Sequence, residues 1–510
     1  MTASLADPAR PVAIVGAGTM GRGIAQIAAA AGTPVLLYDV APEVVSAARA
    51  FVAARFASAA TKGRMTPADA EAATDRLHAA PSLEALAPAA VVIEAAAERL
   101  EVKTALFTDL EGILADDAIL ATNTSSLSVT AIAAGCRRPE RVAGLHFFNP
   151  VPLMTVVEVI RGSRTAPAVT DALARLAEAW GHTAVHVLDT PGFLVNHAGR
   201  GLYTEGLRVV QEGVADPVTV DRILRDCAGF RMGPFELLDL TGIDVSFPVM
   251  EQIYRQFFDE PRFRPTPLAA QQVAAGLYGR KTGQGFYRYH DGTRETPAEP
   301  SAPPLRQVPL WVSPAVPRFA APLRATLAGA DVPLDDGDVP GPDSVCLVTP
   351  VGTDATAEAV RQGVPAARTV AVDMAFATPA RLTMMTTPAT TAAARDAAHA
   401  ALAASGAAVS VIADSPGFVA QRVVATIVNI ACDIAQQGIA APGDIDRAVR
   451  LGLGYPRGPL EMGDDLGPAT VLAILEAIRA LTGDPRYRPS PWLRRRAALG
   501  LALTAPAVAD

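Results

Sequence analysis

A short apolar run at residues 11–15 leads directly into Gly16-Ala-Gly18-Thr19-Met20-Gly21, and a helical pattern follows over about 20–31. Strand, glycine turn and helix in that order leave few folds open. Gly16 permits the tight turn, Gly18 lets a ligand's phosphates approach the backbone, and Gly21 lets the helix pack on the sheet. The amino end of the helix stabilises negative charge. A second apolar run, 35–39, ends on Asp39 at the distance a dinucleotide fold requires. The Asp39 carboxylate would accept hydrogen bonds from a ribose diol and repel a 2′-phosphate, so NAD is expected rather than NADP. Strand-like runs at 91–94, 119–122 and 141–145 alternate with helical stretches. This predicts an α/β, Rossmann-type domain with a parallel, doubly wound sheet over 1–188.

After Asp189 the texture becomes helical, which predicts an all-α domain over 189–290. Proline and polar residues dominate 291–343, read as a linker. A repeat organises the remainder. Asp189-Thr-Pro-Gly-Phe-Leu matches Asp414-Ser-Pro-Gly-Phe-Val, and Gly233-Pro-Phe-Glu matches Gly458-Pro-Leu-Glu. Pro261-Arg-Phe-Arg-Pro-Thr-Pro matches Pro485-Arg-Tyr-Arg-Pro-Ser-Pro. A second helical domain is therefore expected over 412–510. Residues 344–411 are expected to be a degenerate Rossmann-like remnant, with Val348-Thr-Pro-Val-Gly-Thr standing where a glycine fingerprint would belong.

The net charge of −8 argues against a nucleic-acid partner, which needs a basic face. No run of about 18 uncharged apolar residues suggests a membrane span. The segment before residue 11 lacks the basic start and apolar stretch of a secretory signal, and the apolar tail at 499–509 is short. The four cysteines, Cys136, Cys227, Cys346 and Cys432, are far apart and show no metal-binding spacing. No metal and a reduced, cytoplasmic compartment are expected.

His146, in Gly144-Leu-His-Phe-Phe-Asn149-Pro, ends a predicted strand, and ligands of open α/β sheets sit beyond strand carboxyl ends. A hydroxyl that loses hydride needs a base active near neutral pH, and imidazole suits that role. Glu158 could orient the ring and stabilise its charged form. On spacing alone, His146 is equally well a buried structural histidine. Asn123-Thr-Ser125-Ser-Leu follows another strand, where Ser125 could meet a reacting group or only cap a helix. Asn196 could donate to a substrate oxygen or cap a helix.

Taken together, GAGTMGRGIAQ, EAAAERLEVK, NTSSL, GLHFFNPVPLM, VVEV, DTPGFLVN and GRKTGQGFY resemble the 3-hydroxyacyl-CoA dehydrogenase family. The match spans roughly the first 290 residues. The second helical copy resembles the longer bacterial members acting on 3-hydroxybutyryl-CoA or, in phenylacetate breakdown, on 3-hydroxyadipyl-CoA. The resemblance implies NAD-dependent oxidation of an (S)-3-hydroxyacyl-CoA thioester, as in β-oxidation, and a homodimer built by the helical domain. His146 would be the base, Glu158 its partner, and Ser125 and Asn196 the substrate-oxygen contacts. Asp39, Glu98, Lys103, Ser125 and Asn149 would meet NAD together with the 16–21 fingerprint, and Lys62 and Arg64 the coenzyme A phosphates. Gln421 stands where Asn196 stands in the first copy, and no histidine–glutamate pair precedes it, so the second copy is expected to be a scaffold. Two other readings are a dehydrogenase of free hydroxy acids or sugar acids on this fold, and a catalytically silent NAD-binding structural protein.

Overall fold

Val12–Val15 is buried throughout and forms β1, near the centre of an eight-stranded sheet in the computed structural model. The structure describes residues 10–330 and 332–506. The leading segment and the last residues of the apolar tail discussed above lie outside them. The remaining strands are β2 (Val35–Tyr38), β3 (Leu77–Ala79), β4 (Val91–Glu94), β5 (Ile119–Thr122), β6 (Val142–Phe147), β7 (Val156–Arg161) and β8 (Thr183–Leu188). They lie in the order β3-β2-β1-β4-β5-β6-β7-β8. Helices α1 (Thr19–Ala30) and α2 (Pro42–Thr61) contribute Ile24, Ala28, Val52 and Phe56 to the core beside this sheet.

The parallel expectation fails at one pair. β6 and β7 are antiparallel, with His146 directly opposite Glu158. The connecting loop 148–155 is too short for the helical crossover that a parallel neighbour needs. The chain therefore turns straight back, and two residues distant in sequence become cross-strand partners.

Two compact units are present. The first runs to His197 and includes Gln437–Gly454; the second comprises Ala198–Gln436 and the chain from Tyr455 onward. The helix Pro442–Leu453, from the second helical copy, packs on β8 and β7 within the first unit.

In the second unit the two helical copies interlock. Helix Arg200–Gln211 packs along helix Val419–Gln436, so closely that a Cβ on Gly201 would lie 3.1 Å from Ile427 Cα. Glu205 of the first copy is buried between Arg422 and Arg486 of the second, and accepts a 2.6 Å hydrogen bond from the Tyr487 hydroxyl. In return, Arg262 of the first copy pairs with Asp433 of the second. Arg262-Phe263 and Arg486-Tyr487 belong to the matching Pro-Arg-aromatic-Arg-Pro segments. That repeated segment therefore carries the arginines that bind each copy to the other.

The expected linker at 291–343 is only partly one. A short ladder, β9 (Tyr289–His290) with β10 (Thr293–Arg294), straddles its start. Then β11 (Leu310–Val312), helix Pro317–Gly329 and β12 (Leu334–Asp335) join β13 (Val345–Val348), β14 (Thr369–Val372), β15 (Arg381–Thr386) and β16 (Ala408–Ile412). Their order is β12-β11-β13-β14-β15-β16. Leu310, Val312, Leu323 and Leu327 are buried in its core. The prolines obscure this pattern, because one of them starts a helix, where the missing N–H costs nothing.

The 348–353 segment also needs correction. β14 and β15 are antiparallel and β15 and β16 parallel, which repeats β6-β7-β8. β13 therefore corresponds to β5, and Thr349-Pro-Val-Gly-Thr to Asn123-Thr-Ser-Ser-Leu rather than to the glycine fingerprint. No helix among the described residues is long and apolar enough to cross a membrane.

Candidate active site

The β6–β7 pairing brings His146 Nδ1 to 2.6 Å from Glu158 Oε2. Glu158 is fully buried and its other oxygen accepts the backbone N–H groups of Leu194 (2.9 Å) and Val195 (2.8 Å). These amides lie at the start of the helix that carries Asn196. The turn before it needs Gly192 and Phe193 at positive φ, and Phe193 is a non-glycine residue in that strained region. Its ring centroid is 5.8 Å from that of His146, and that of Phe148 is 4.4 Å away. One carboxylate thus fixes both the imidazole and the backbone leading to Asn196. Because Glu158 takes Nδ1, the other ring nitrogen is the one available for proton transfer.

A pocket of about 380 Å³ opens beside this pair. Met20, Glu98, Lys103, Ser125, His146, Asn149 and Asn196 all line it. Glu98 Oε1 accepts from the Thr124 hydroxyl at 2.7 Å and from the backbone N–H groups of Ser125 and Ser126 at 3.0 and 3.1 Å. Burial alone would raise the Glu98 carboxyl; the Thr124 hydrogen bond, the Lys103 charge and the serine contacts hold it below its ordinary value. Lys103 is buried and reaches Glu98 Oε2 at 3.3 Å and Glu94 Oε1 at 2.6 Å. Glu94 also accepts from Thr122 and from the Ala96 N–H, so the ends of β4 and β5 are cross-braced beneath Lys103.

The fingerprint can hold a pyrophosphate. No side chain caps the amino end of α1, and its first turn carries no acid. A Cβ on Gly18 would meet nothing within 4 Å, so the space above it is open. On Gly21 it would lie 1.8 Å from Gly16 O, and Gly16 itself sits at φ +100°. Asp39 follows β2, and its carboxylate accepts the Ala17 and Ala41 N–H groups at 2.8 and 3.1 Å. These bonds fix a carboxylate beside the fingerprint.

Thr19, Lys62 and Arg64 line a second pocket of about 470 Å³, and Asn149 lines both. Arg22, Phe51 and Arg55 line it too and were missed by sequence reasoning, although residues 51, 55, 58 and 62 fall on one face of α2. Glu94 and Asn123 were also missed. Asn123 Oδ1 accepts the Phe147 N–H at 2.8 Å, next to His146. A polar residue at a buried strand end was the available signal.

In the second sheet, Asp373 donates its N–H to Thr383 O, one pair beyond the Val372–Met384 match. Asp373 and Thr383 therefore occupy the positions of His146 and Glu158. Gln421 Nε2 donates to Asp373 Oδ1 at 2.9 Å, and Gln421 Oε1 accepts the Gly352 N–H at 2.8 Å. A Cβ on Gly352 would lie 2.6 Å from Ile474 Cα, so the loop is pressed against a helix. The second copy has bonded its polar residues to one another.

Comparison with known proteins identifies the family. The model for the NAD-binding domain of 3-hydroxyacyl-CoA dehydrogenase matches residues 11–190, and that for its C-terminal domain matches both 192–289 and 417–504. A 3-hydroxyadipyl-CoA dehydrogenase of Escherichia coli is 41% identical over 96% of this chain and 97% of its own length. A 3-hydroxybutyryl-CoA dehydrogenase of Bradyrhizobium diazoefficiens is 38% identical over 56% of this chain and 98% of its own. A crystal structure of a 3-hydroxybutyryl-CoA dehydrogenase from E. coli superposes with a TM-score of 0.85, at 40% identity, over 96% of this chain and 98% of that one. With the NAD domain matched once and the helical domain twice, the chain belongs to the 3-hydroxyacyl-CoA dehydrogenase family and is an NAD-dependent oxidoreductase.

Proposed function

We propose that the chain oxidises the 3-hydroxyl of an (S)-3-hydroxyacyl-CoA to a ketone, with His146 as the base. The observation that carries this reading is the buried His146–Glu158 pair at the wall of a pocket shared with Ser125, Asn149 and Asn196. NAD, when bound, accepts the hydride from C3. His146 takes the hydroxyl proton, so one proton and one hydride leave the alcohol and a carbonyl remains. Glu158 holds the ring and stabilises its positive charge without taking the proton. Ser125 and Asn196 hold the reacting oxygen. Asp39, Glu98, Lys103, Asn149 and the Gly16, Gly18, Thr19, Met20 and Gly21 turn hold the dinucleotide, and Lys62 and Arg64 the phosphates of coenzyme A.

The relatives' names supply two acyl groups to try, 3-hydroxybutyryl and 3-hydroxyadipyl. The reading includes a cytoplasmic location and a homodimer. Because the long helices of the two copies already cover each other within one chain, a dimer would use another surface. Light scattering reports that assembly. The decisive experiment follows NADH absorbance with acetoacetyl-CoA, with 3-oxoadipyl-CoA and with free acetoacetate. Turnover of the free acid at the thioester's rate would refute the reading.

A further inference from the structure

We infer that Gly452, on the helix Pro442–Leu453 of the second helical copy, is a positioning residue for the reaction: it seats the backbone that holds Glu158 against His146. The inference rests on the proposed activity and extends it into the second copy. A glycine inside a helix costs stability relative to alanine, so this one needs a reason. The reason is close approach. A Cβ on Gly452 would lie 3.0 and 3.1 Å from the two Cγ atoms of Val195, and 3.4 Å from Val156 Cγ1. Even a methyl group would have to displace Val195 by a few tenths of an ångström.

Val195 and Val156 are buried, and packed interiors transmit such a push rather than absorb it. The Val195 N–H is one of the two that Glu158 Oε1 accepts, at 2.8 Å. Val156 lies two residues before Glu158 on β7, on the same face of the sheet. Asn196 follows Val195 directly and lines the pocket with His146. A displaced Val195 therefore disturbs the anchor of Glu158 and the approach of Asn196 together.

The helix is seated by a backbone bond from the Leu188 N–H, at the end of β8, to the Ile439 carbonyl at 2.9 Å. The repeat makes the same exchange in reverse, because the Ala413 N–H donates to the Val214 carbonyl, also at 2.9 Å. In this register Gly452 corresponds to Cys227, Val195 to Ala420 and Val156 to Arg381. The Cys227 thiol donates to the Arg381 carbonyl at 3.6 Å, so one helix position faces one strand in both halves. Where His146 and Glu158 must be held, that position is glycine and the turn carries valine. Beside Asp373 and Thr383, the matching residues are cysteine and alanine.

The test uses the wild type, Gly452→Ala, Gly452→Val and the double variant Gly452→Ala with Val195→Ala. It measures kcat for acetoacetyl-CoA reduction, NADH affinity by fluorescence titration and the thermal midpoint. It also follows the downfield proton resonance of the histidine Nδ1–H, assigned by its loss in His146→Gln. Alanine favours a helix, so Gly452→Ala should keep or raise the midpoint while the resonance shifts. A misplacement of about 1 Å can cost about a hundredfold, so kcat should fall about tenfold in Gly452→Ala and further in Gly452→Val. NADH affinity should hold, because Asp39 and the fingerprint follow other strands. Trimming Val195 should restore most of kcat to Gly452→Ala. If Gly452→Val folds poorly, Gly452→Ala and its double variant carry the test. A resonance and a kcat unchanged in Gly452→Ala overturn the inference, as does a loss that Val195→Ala fails to relieve or that NADH affinity shares. A wild type that reduces no thioester would sink the proposed activity instead, and the resonance would still report on Gly452.

Discussion

Asp373→Asn should make stability less dependent on pH. The Asp373 side chain is 1% exposed. Its Oδ1 accepts from Gln421 and from the Ala375 N–H, and its Oδ2 has no well-formed hydrogen bond among the described residues. Among the described residues, the groups facing it bring no free cation. Gln421 is neutral, and the Cys227 thiol is pushed up to about 12, first by burial and then by Asp373 itself. Arg381, on β15, is engaged by Asp226 and Glu299. Burial outweighs the hydrogen bonds and raises the Asp373 carboxyl from 3.8 to about 6. A folded value above the unfolded one means that the contribution is fully present below 3.8 and is lost as pH rises through about 6. The interval corresponds to about 3 kcal/mol. Asparagine has nothing to ionise. The thermal midpoint of the variant, relative to the wild type, should therefore climb by several degrees between pH 4.5 and pH 8. A gap that is flat across that range would refute the assignment of a protonated acid to this site.

Asp39→Ala should raise KM for NAD and narrow its advantage over NADP, measured as the ratio of the two kcat/KM values, because the ribose acceptor and the repulsion vanish together. His146→Gln should lower kcat by a factor of about 10² to 10⁴ with NAD affinity little changed, and near-normal turnover in a folded variant would remove His146 as the base. Glu158→Gln should cost a similar factor, and the double variant little more, because an amide cannot accept from the histidine and from two backbone N–H groups at once. Gln421→Ala should leave turnover nearly intact and cost about 1–3 kcal/mol for each buried group left unpaired, read from thermal melts.

The elements that were legible in the sequence are those whose signal is local. The 12–15 run, the glycine turn and Asp39 sit in one stretch and report one another. The repeat was legible because its helical halves keep fixed words such as Pro-Gly-Phe and Pro-Arg-aromatic-Arg-Pro. The antiparallel β6–β7 pair was not, because hydrophobic patterning reports burial and says little about strand direction. Trp311 and its neighbours were hidden among prolines. His146 and Glu158 were each ambiguous alone, and only their register makes one residue the other's partner. Arg22 and Phe51 lie on different helices, so no window along the chain could pair them.

The repeat separates what the fold needs from what the chemistry needs. Asp189 accepts the Val129 and Thr130 N–H groups, and Asp414 accepts those of Ala355 and Thr356. In both copies the aspartate of the Asp-x-Pro-Gly-Phe word holds the helix that follows the β5-type strand. That word is therefore retained for architecture and predicts nothing about activity. The positions that differ include His146, Glu158 and Asn196, replaced by Asp373, Thr383 and Gln421. In the first copy, His146 and Asn196 line a pocket. In the second, Gln421 satisfies Asp373 and Gly352 directly, and Ile474 closes over the loop. A polar group can await a substrate only where something else leaves room for one. Restoring a histidine at 373 would thus supply a base without a substrate, because the space it would serve is filled by neighbours that have become one another's partners.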